Sequence, residues 1–175
     1  MYEYTSYMKR NGEIFNSILD LGCFVVSGFP RDAIILQEPF NDVDIICDLA
    51  KKDDLIKAIG GRVFFSRKYV STRFYTTCRH SVGMIRNDVF YDIRFFDSVQ
   101  DWKDEKSGEF TTSLFYIAKD HLGVQFMPEG ETLPSLLNLV RKKHIKVLYK
   151  GDNKENLFDI RERKYKFRER GWVFL

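Results

Sequence analysis

Apolar positions at Met8, Ile14, Phe15, Ile18, Leu19 and Leu21 recur at roughly helical spacing, which predicts an amphipathic helix over residues 7–21 with Gly22 as its C-terminal stop. The short apolar run Cys23-Phe24-Val25-Val26 follows and suits a buried strand. Ser27-Gly28-Phe29-Pro30 breaks it, and Pro30 is placed to open a short helix over 31–36. Alternation returns in Asp42-Val43-Asp44-Ile45-Ile46-Cys47, a second strand. A helix is predicted over 51–59, ended by the Gly60-Gly61 turn. Strands are then predicted at 62–66, 72–76, 81–85 and 89–96, with Asn87-Asp88 as a hairpin turn between the last two. Residues 110–117 read more as helix than strand, and further helices are predicted over 133–148 and 155–170, the last ending at Gly171. This order gives an α+β fold, a mixed sheet with helices on one side and helices at the C-terminal end.

The composition is that of a globular protein: 175 residues, 44% apolar and 30% charged. Disordered and collagen-like classes are excluded. No apolar run approaches the ~20 residues that cross a bilayer, and the first ten residues resemble neither a signal nor a transit peptide. The three cysteines, Cys23, Cys47 and Cys78, are widely spaced. They form no C-x-x-C pair, which argues against a disulfide framework or zinc site and for a reduced, cytoplasmic protein without a membrane partner. His80, His121 and His144 are scattered, and no nucleophile–base arrangement is legible. The formal charge of +3 is unevenly placed, with +7 in residues 135–175 and −4 before them. A basic end suggests an anionic partner, and an acidic body suggests metal ions.

Three sites carry candidate chemistry. Asp42 and Asp44, two apart on a strand, share one face while Val43 and Ile45 face the core. Adjacent carboxylates repel, so they either face solvent at a strand end or hold a hard cation such as Mg²⁺ or Mn²⁺. Ser27-Gly28 before Pro30 is a small-residue turn whose N–H groups, at a helix start, could cradle phosphate. Asp92 shares a strand face with Arg94 and lies among Phe, Tyr and Ile. It either pairs with Arg94 or joins Asp42 and Asp44 as a third metal ligand. Three carboxylates and a glycine turn in this order are what metal-assisted nucleotidyl transfer requires. In the C-terminal segment Arg161, Arg163, Lys164, Lys166, Arg168 and Arg170 alternate with Tyr165, Phe167 and Trp172. This is either a phosphate-binding surface or a solvated helix face whose aromatics pack on the body.

These segments resemble the catalytic head and the start of the neck of class II CCA-adding enzymes and bacterial poly(A) polymerases, within the nucleotidyltransferase superfamily. Ser27-Gly28-Phe29-Pro30-Arg31-Asp32 resembles the family's Gly-Gly-x-Val-Arg-Asp turn, and Asp42-Val43-Asp44-Ile45 its Asp-x-Asp-Ile segment. Tyr91-Asp92-Ile93-Arg94-Phe95-Phe96 takes the place of the strand with the third carboxylate. Residues 107–116 resemble an Arg-Arg-Asp-Phe-Thr-x-Asn-Ala-Leu-Ala-Tyr segment, with Ser107-Gly108 for the arginine pair and Ser113 for the asparagine. Residues 155–172 are similar to the neck helix, with Asp159 where an arginine is expected in Glu-Asp-x-x-Arg.

The resemblance implies a head domain over 1–132 and a neck-like basic helical segment over 133–175. It implies Asp42, Asp44 and Asp92 as metal-binding catalytic residues, and Ser27, Gly28, Arg31, Asp32, Ser113 and Asp159 at the nucleotide. It also implies an NTP substrate, Mg²⁺ or Mn²⁺, and an RNA or tRNA 3′ end as acceptor. That acceptor would be held by the basic helix, a homodimer or a protein partner. The competing readings are a nucleotide- or RNA-binding protein that retains the fold without turnover, and a transferase that modifies a small molecule or protein.

Overall fold

The computed structural model describes residues 1–68, 76–148 and 154–175, with side chains of the last segment from 159 onward. The strand expected at 72–76 lies outside the described residues but for Thr76. The chain runs α1 (Tyr4–Asp20), β1 (Phe24–Val26), a one-turn π-helix (Pro30–Ile35), β2 (Val43–Asp48), α2 (Lys52–Ile59), β3 (Arg62–Lys68), β4 (Cys78–Arg86) and β5 (Val89–Phe96). It continues with α3 (Val99–Glu105), a 3₁₀ turn (Thr111–Ser113), β6 (Phe115–Ile117), β7 (Leu122–Val124), α4 (Leu133–Arg141), β8 (His144–Ile145), α5 (Lys154–Glu169) and β9 (Val173–Phe174). Among the described residues, no helix is long and apolar enough to cross a membrane.

Seven strands form one mixed sheet in the order β3-β4-β5-β2-β1-β6-β7. Within this sheet, among the described residues, only β2 and β5 run parallel. A parallel pair needs a long crossover, here supplied by α2 and the β3–β4 hairpin. Asn87 and Asp88 both have positive φ, 50° and 66°, which is the twist a two-residue β4–β5 hairpin requires. Alternation decides the faces. Val25, Val43, Ile45, Tyr91, Ile93 and Phe95 enter the main core beneath α1 and α2, with Phe15, Ile18, Leu55 and Ile59. Val26, Ile46 and Phe96 point to the opposite face, where Trp102 of α3 and Tyr116 cover them. The sequence pattern predicts neither α3 nor the short strands β7, β8 and β9.

Two predicted helices are corrected. Residues 110–117 are not helical: after the 3₁₀ turn, Phe115-Tyr116-Ile117 pairs with both β1 and β7. Aromatic and β-branched side chains fit this half-buried pleat better than a helix. The helix expected over 133–148 stops at Arg141, well capped at its start by Thr132 and Ser135. Lys143 at φ 54° reverses the chain, and His144-Ile145 pairs with Val173-Phe174. This places Ile145 with Leu136, Val140, Phe110, Ile160 and Trp172 in a second core. That core joins α4 and α5 to the 110–117 segment and so sets α5 beside the end of the sheet.

Candidate active site

The first wall of the site is the turn after β1. Ser27 holds φ 65°, a left-handed conformation that costs an L-residue about 1 kcal/mol or more and recurs at functional turns. Phe29 fixes the turn from beneath. It is fully buried, with its ring 4.7 to 5.7 Å from those of Phe40, Phe15 and Tyr7. Arg31 and Asp32 face each other in a buried bidentate pair at 2.6 and 2.7 Å. The following helix is only six residues long, so its dipole is short. Anion attraction at this turn must come mainly from N–H groups and neighbouring cations.

The second wall is carboxylate. Val43 and Ile45 are fully buried, and Asp42 and Asp44 therefore project on the opposite side. Parallel pairing sets Asp92 of β5 directly opposite Asp44 of β2, on the same face. Burial and the nearby charges of Asp42 and Asp92 push the Asp44 carboxyl up to about 7, against the opposing pull of Arg94 and Arg163. Burial, with the charge of Asp92, raises Asp42 as well. Burial and mutual repulsion thus oppose ionisation of both carboxyls, and hard oxygen donors in this state suit a divalent cation such as Mg²⁺ or Mn²⁺. Both readings of Asp92 meet here: it lies beside Asp44 and also pairs with Arg94 at 3.5 Å. Among the described residues, no three His, Cys, Asp or Glu side chains are already gathered as a metal cage. A bound ion would therefore have to draw the carboxylates together.

The third wall is α5. A cavity of about 370 Å³ is lined by Ser27, Gly28, Asp42 and Asp44 on one side and by Arg163, Lys166 and Arg170 on the other, with Asn41 and Ser113 completing the rim. The six basic residues 161, 163, 164, 166, 168 and 170, in and just after α5, therefore do not form one surface. Positions 163, 166 and 170 share the face turned to the cavity. Lys164 and Arg168 instead flank the Phe174 ring at 5.5 and 5.3 Å, and Arg161 is exposed. Arg170 reaches Asp32 at 3.1 Å, and Arg31 stacks on Phe167 and Trp172 at 5.0 and 5.9 Å from the ring centres. Arg31 and Asp32 thus join the turn to the helix, as well as lining the cavity. Trp172 is buried and Phe167 packs against the same core, whereas Tyr165 of this segment stays exposed. Asp159 is half-buried and is not among the residues lining the cavity.

Two contributors escape a sequence reading. Glu109 is buried and accepts a 2.8 Å hydrogen bond from Arg163, holding that guanidinium beside the carboxylates. Its one visible signal is an acid next to Phe110 in an otherwise apolar and small-residue stretch. Asn41 lines the cavity with nothing in its surroundings to mark it beforehand.

No protein-family model and no curated protein matches the sequence. Solved structures do match the fold. A CCA-adding enzyme with CTP superposes with a TM-score of 0.59 at 16% identity, over 99% of this chain and 43% of that one. The Thermotoga maritima CCA-adding enzyme complexed with tRNA gives 0.57 at 17% identity, over 97% and 38%. A tRNA-processing enzyme without ligand gives 0.51 at 15% identity, over 85% and 38%. The chain spans about 40% of the length of these proteins, and over that span it has the nucleotidyltransferase-type fold of the CCA-adding enzymes.

Proposed function

We propose that the protein is a metal-dependent nucleotidyltransferase that moves a nucleoside monophosphate from an NTP to a hydroxyl acceptor, the 3′ end of an RNA or tRNA, and releases pyrophosphate. One observation carries the reading. Asp42 and Asp44 share a cavity with the Ser27-Gly28 turn and with Arg163, Lys166 and Arg170, while Asp92 stands opposite Asp44 on the next strand. Structural neighbours that hold CTP and tRNA support the choice of substrate classes.

Asp42 and Asp44 would hold Mg²⁺ or Mn²⁺, with Asp92 completing the set. Divalent ions in such a site neutralise triphosphate charge and make the acceptor hydroxyl more acidic. The N–H groups of the Ser27-Gly28 turn and the side chains of Arg163, Lys166 and Arg170 grip the triphosphate with donors only, the complement of phosphate oxygens. The acceptor oxygen attacks the α-phosphorus, its proton passes to Asp92, and the bond to the β-phosphate oxygen breaks to free pyrophosphate.

The test is label transfer from each NTP in turn, with Mg²⁺ or Mn²⁺, onto a small-RNA pool that includes tRNA lacking its 3′ end. Transfer that an Asp42→Ala, Asp44→Ala variant abolishes is the expected result. A second reading, a nucleotide- or RNA-binding protein without turnover, is favoured by the Asp92–Arg94 pair, which engages the expected proton acceptor. RNA binding with no transfer by a folded wild type would establish it. Transfer to a small molecule or a protein, but not to RNA, would replace the RNA acceptor.

A further inference from the structure

We infer that the β3–β5 side of the sheet, beside the carboxylates, is the docking platform for a single-stranded RNA 3′ end. The inference rests on the transferase reading for its purpose and on strand register for its geometry. Residues paired across neighbouring strands share a face. The row through the site runs Asp44, Asp92, Gly83 and Phe65 across β2, β5, β4 and β3. The next row runs Arg94, Ser81 and Arg67, and the one on the other side Phe90, Ile85 and Arg62. At about 4.8 Å per strand, Phe65 stands about 10 Å from Asp92 along the sheet.

Gly83 explains how that aromatic is displayed. A Cβ at position 83 would overlap the Phe65 ring, so the missing side chain lets the ring lie down over β4 toward Asp92. Phe90 adds a second ring, 6.4 Å away between centres. The Arg67 guanidinium lies 4.9 Å from the Phe65 ring centre. Farther out, Phe64 is 63% exposed with Arg62 5.8 Å from its ring. Among the described residues, no carboxylate pairs with Arg62, Arg67 or Lys68.

Edge strands commonly carry lysine and arginine to block strand pairing, but here the edge also exposes Phe64 beside Arg62. Flat rings interleaved with uncompensated arginines are instead what bases and phosphates of a single strand require, stacking on rings and guanidinium planes while the backbone meets cations. The row leads from these rings to Asp92, where the terminal hydroxyl has to be.

The experiment uses the full chain and a fluorescent single-stranded RNA octamer with a free 3′ hydroxyl. Affinity is measured by anisotropy without nucleotide, for wild type, Arg62→Ala/Arg67→Ala, Phe64→Ser and Phe65→Leu, with thermal melts to show that each folds. Loss of about tenfold or more for the arginine pair or for Phe65→Leu is expected, as is crosslinking of a 4-thiouridine near the RNA 3′ end to β3 or β4 peptides. Unchanged affinity in all folded variants, crosslinks confined to α5, or no binding by wild type overturns the platform. A concentration-dependent dimer lost in Phe64→Ser while RNA binding is unchanged also overturns it, and assigns the edge to self-pairing. Transfer assays separate this from the parent reading. Intact transfer with an unchanged acceptor KM in the variants sinks the platform alone, whereas RNA binding lost in the variants without transfer by wild type sinks the chemistry alone.

Discussion

At the scale of residues, Asp44 has the most at stake. Its carboxyl titrates near 7 in the folded chain because burial and two neighbouring acids oppose its charge, whereas a free aspartate titrates near 3.9. Between those values the native state holds a proton that the unfolded chain has released, so stability falls as pH rises from about 4 to about 7 and is level above that. Asp42 is shifted in the same direction and adds to the slope. In EDTA, Asp44→Asn is therefore expected to raise the unfolding free energy at pH 8 by about 1–3 kcal/mol and to leave it nearly unchanged at pH 4. Urea midpoints at the two pH values check this, and an equal shift at both would show that the carboxyl is not strained by its neighbours. Asp42, Asp44 and Asp92 were legible in the sequence because strand alternation alone puts each opposite a fully buried apolar neighbour. The division of the basic residues 161–170 was not, since residues three and four apart on a helix share a face but nothing local says which face meets the sheet.

At the scale of elements, the turn and α5 act as one unit. Asp32 is the link, holding Arg31 in a buried pair and accepting from Arg170. Removing Arg170 deletes one half-exposed partner, which costs about 1 kcal/mol or less. Removing the Asp32 carboxylate leaves Arg31 buried without its counter-charge, which costs about 3–5 kcal/mol. Denaturant unfolding of Asp32→Ala and Arg170→Ala should reproduce this asymmetry; comparable losses would mean that Arg170, not Arg31, is the main partner. The strand β5 and the helices α1 and α2 follow from periodicity because each has one mainly buried face, whereas β2 and β4 bury consecutive residues at 45–47 and 81–84 and are read from their apolar, β-branched content. The 110–117 segment follows from neither, because Phe110, Leu114 and Phe115 are all fully buried and such a run fits helix or strand equally. The turn at Lys143 carries no glycine to announce it, so the helix at 133–141 and the strand after it read as one element.

At the scale of the molecule, the charge asymmetry becomes a spatial statement. Within the basic segment 135–175, Arg163, Lys166 and Arg170 form a cavity face that answers the carboxylates, and Arg161, Lys164 and Arg168 form an outer face. The outer residues pack partly on Phe174, so their charge either serves that packing or reaches an acceptor's backbone beyond its 3′ end. Salt separates the two. Each phosphate contact to a single strand contributes about 0.7 to the slope of log K against log salt, independent of sequence. Replacing all three outer residues with glutamine should therefore flatten that slope by about 2 for an RNA long enough to span from the sheet to α5. The NTP KM should stay unchanged, since none of the three lines the cavity. A slope left as it was, with a lowered melting temperature, would assign Lys164 and Arg168 to the β9 packing and leave the proposed RNA contact to the β3–β5 face.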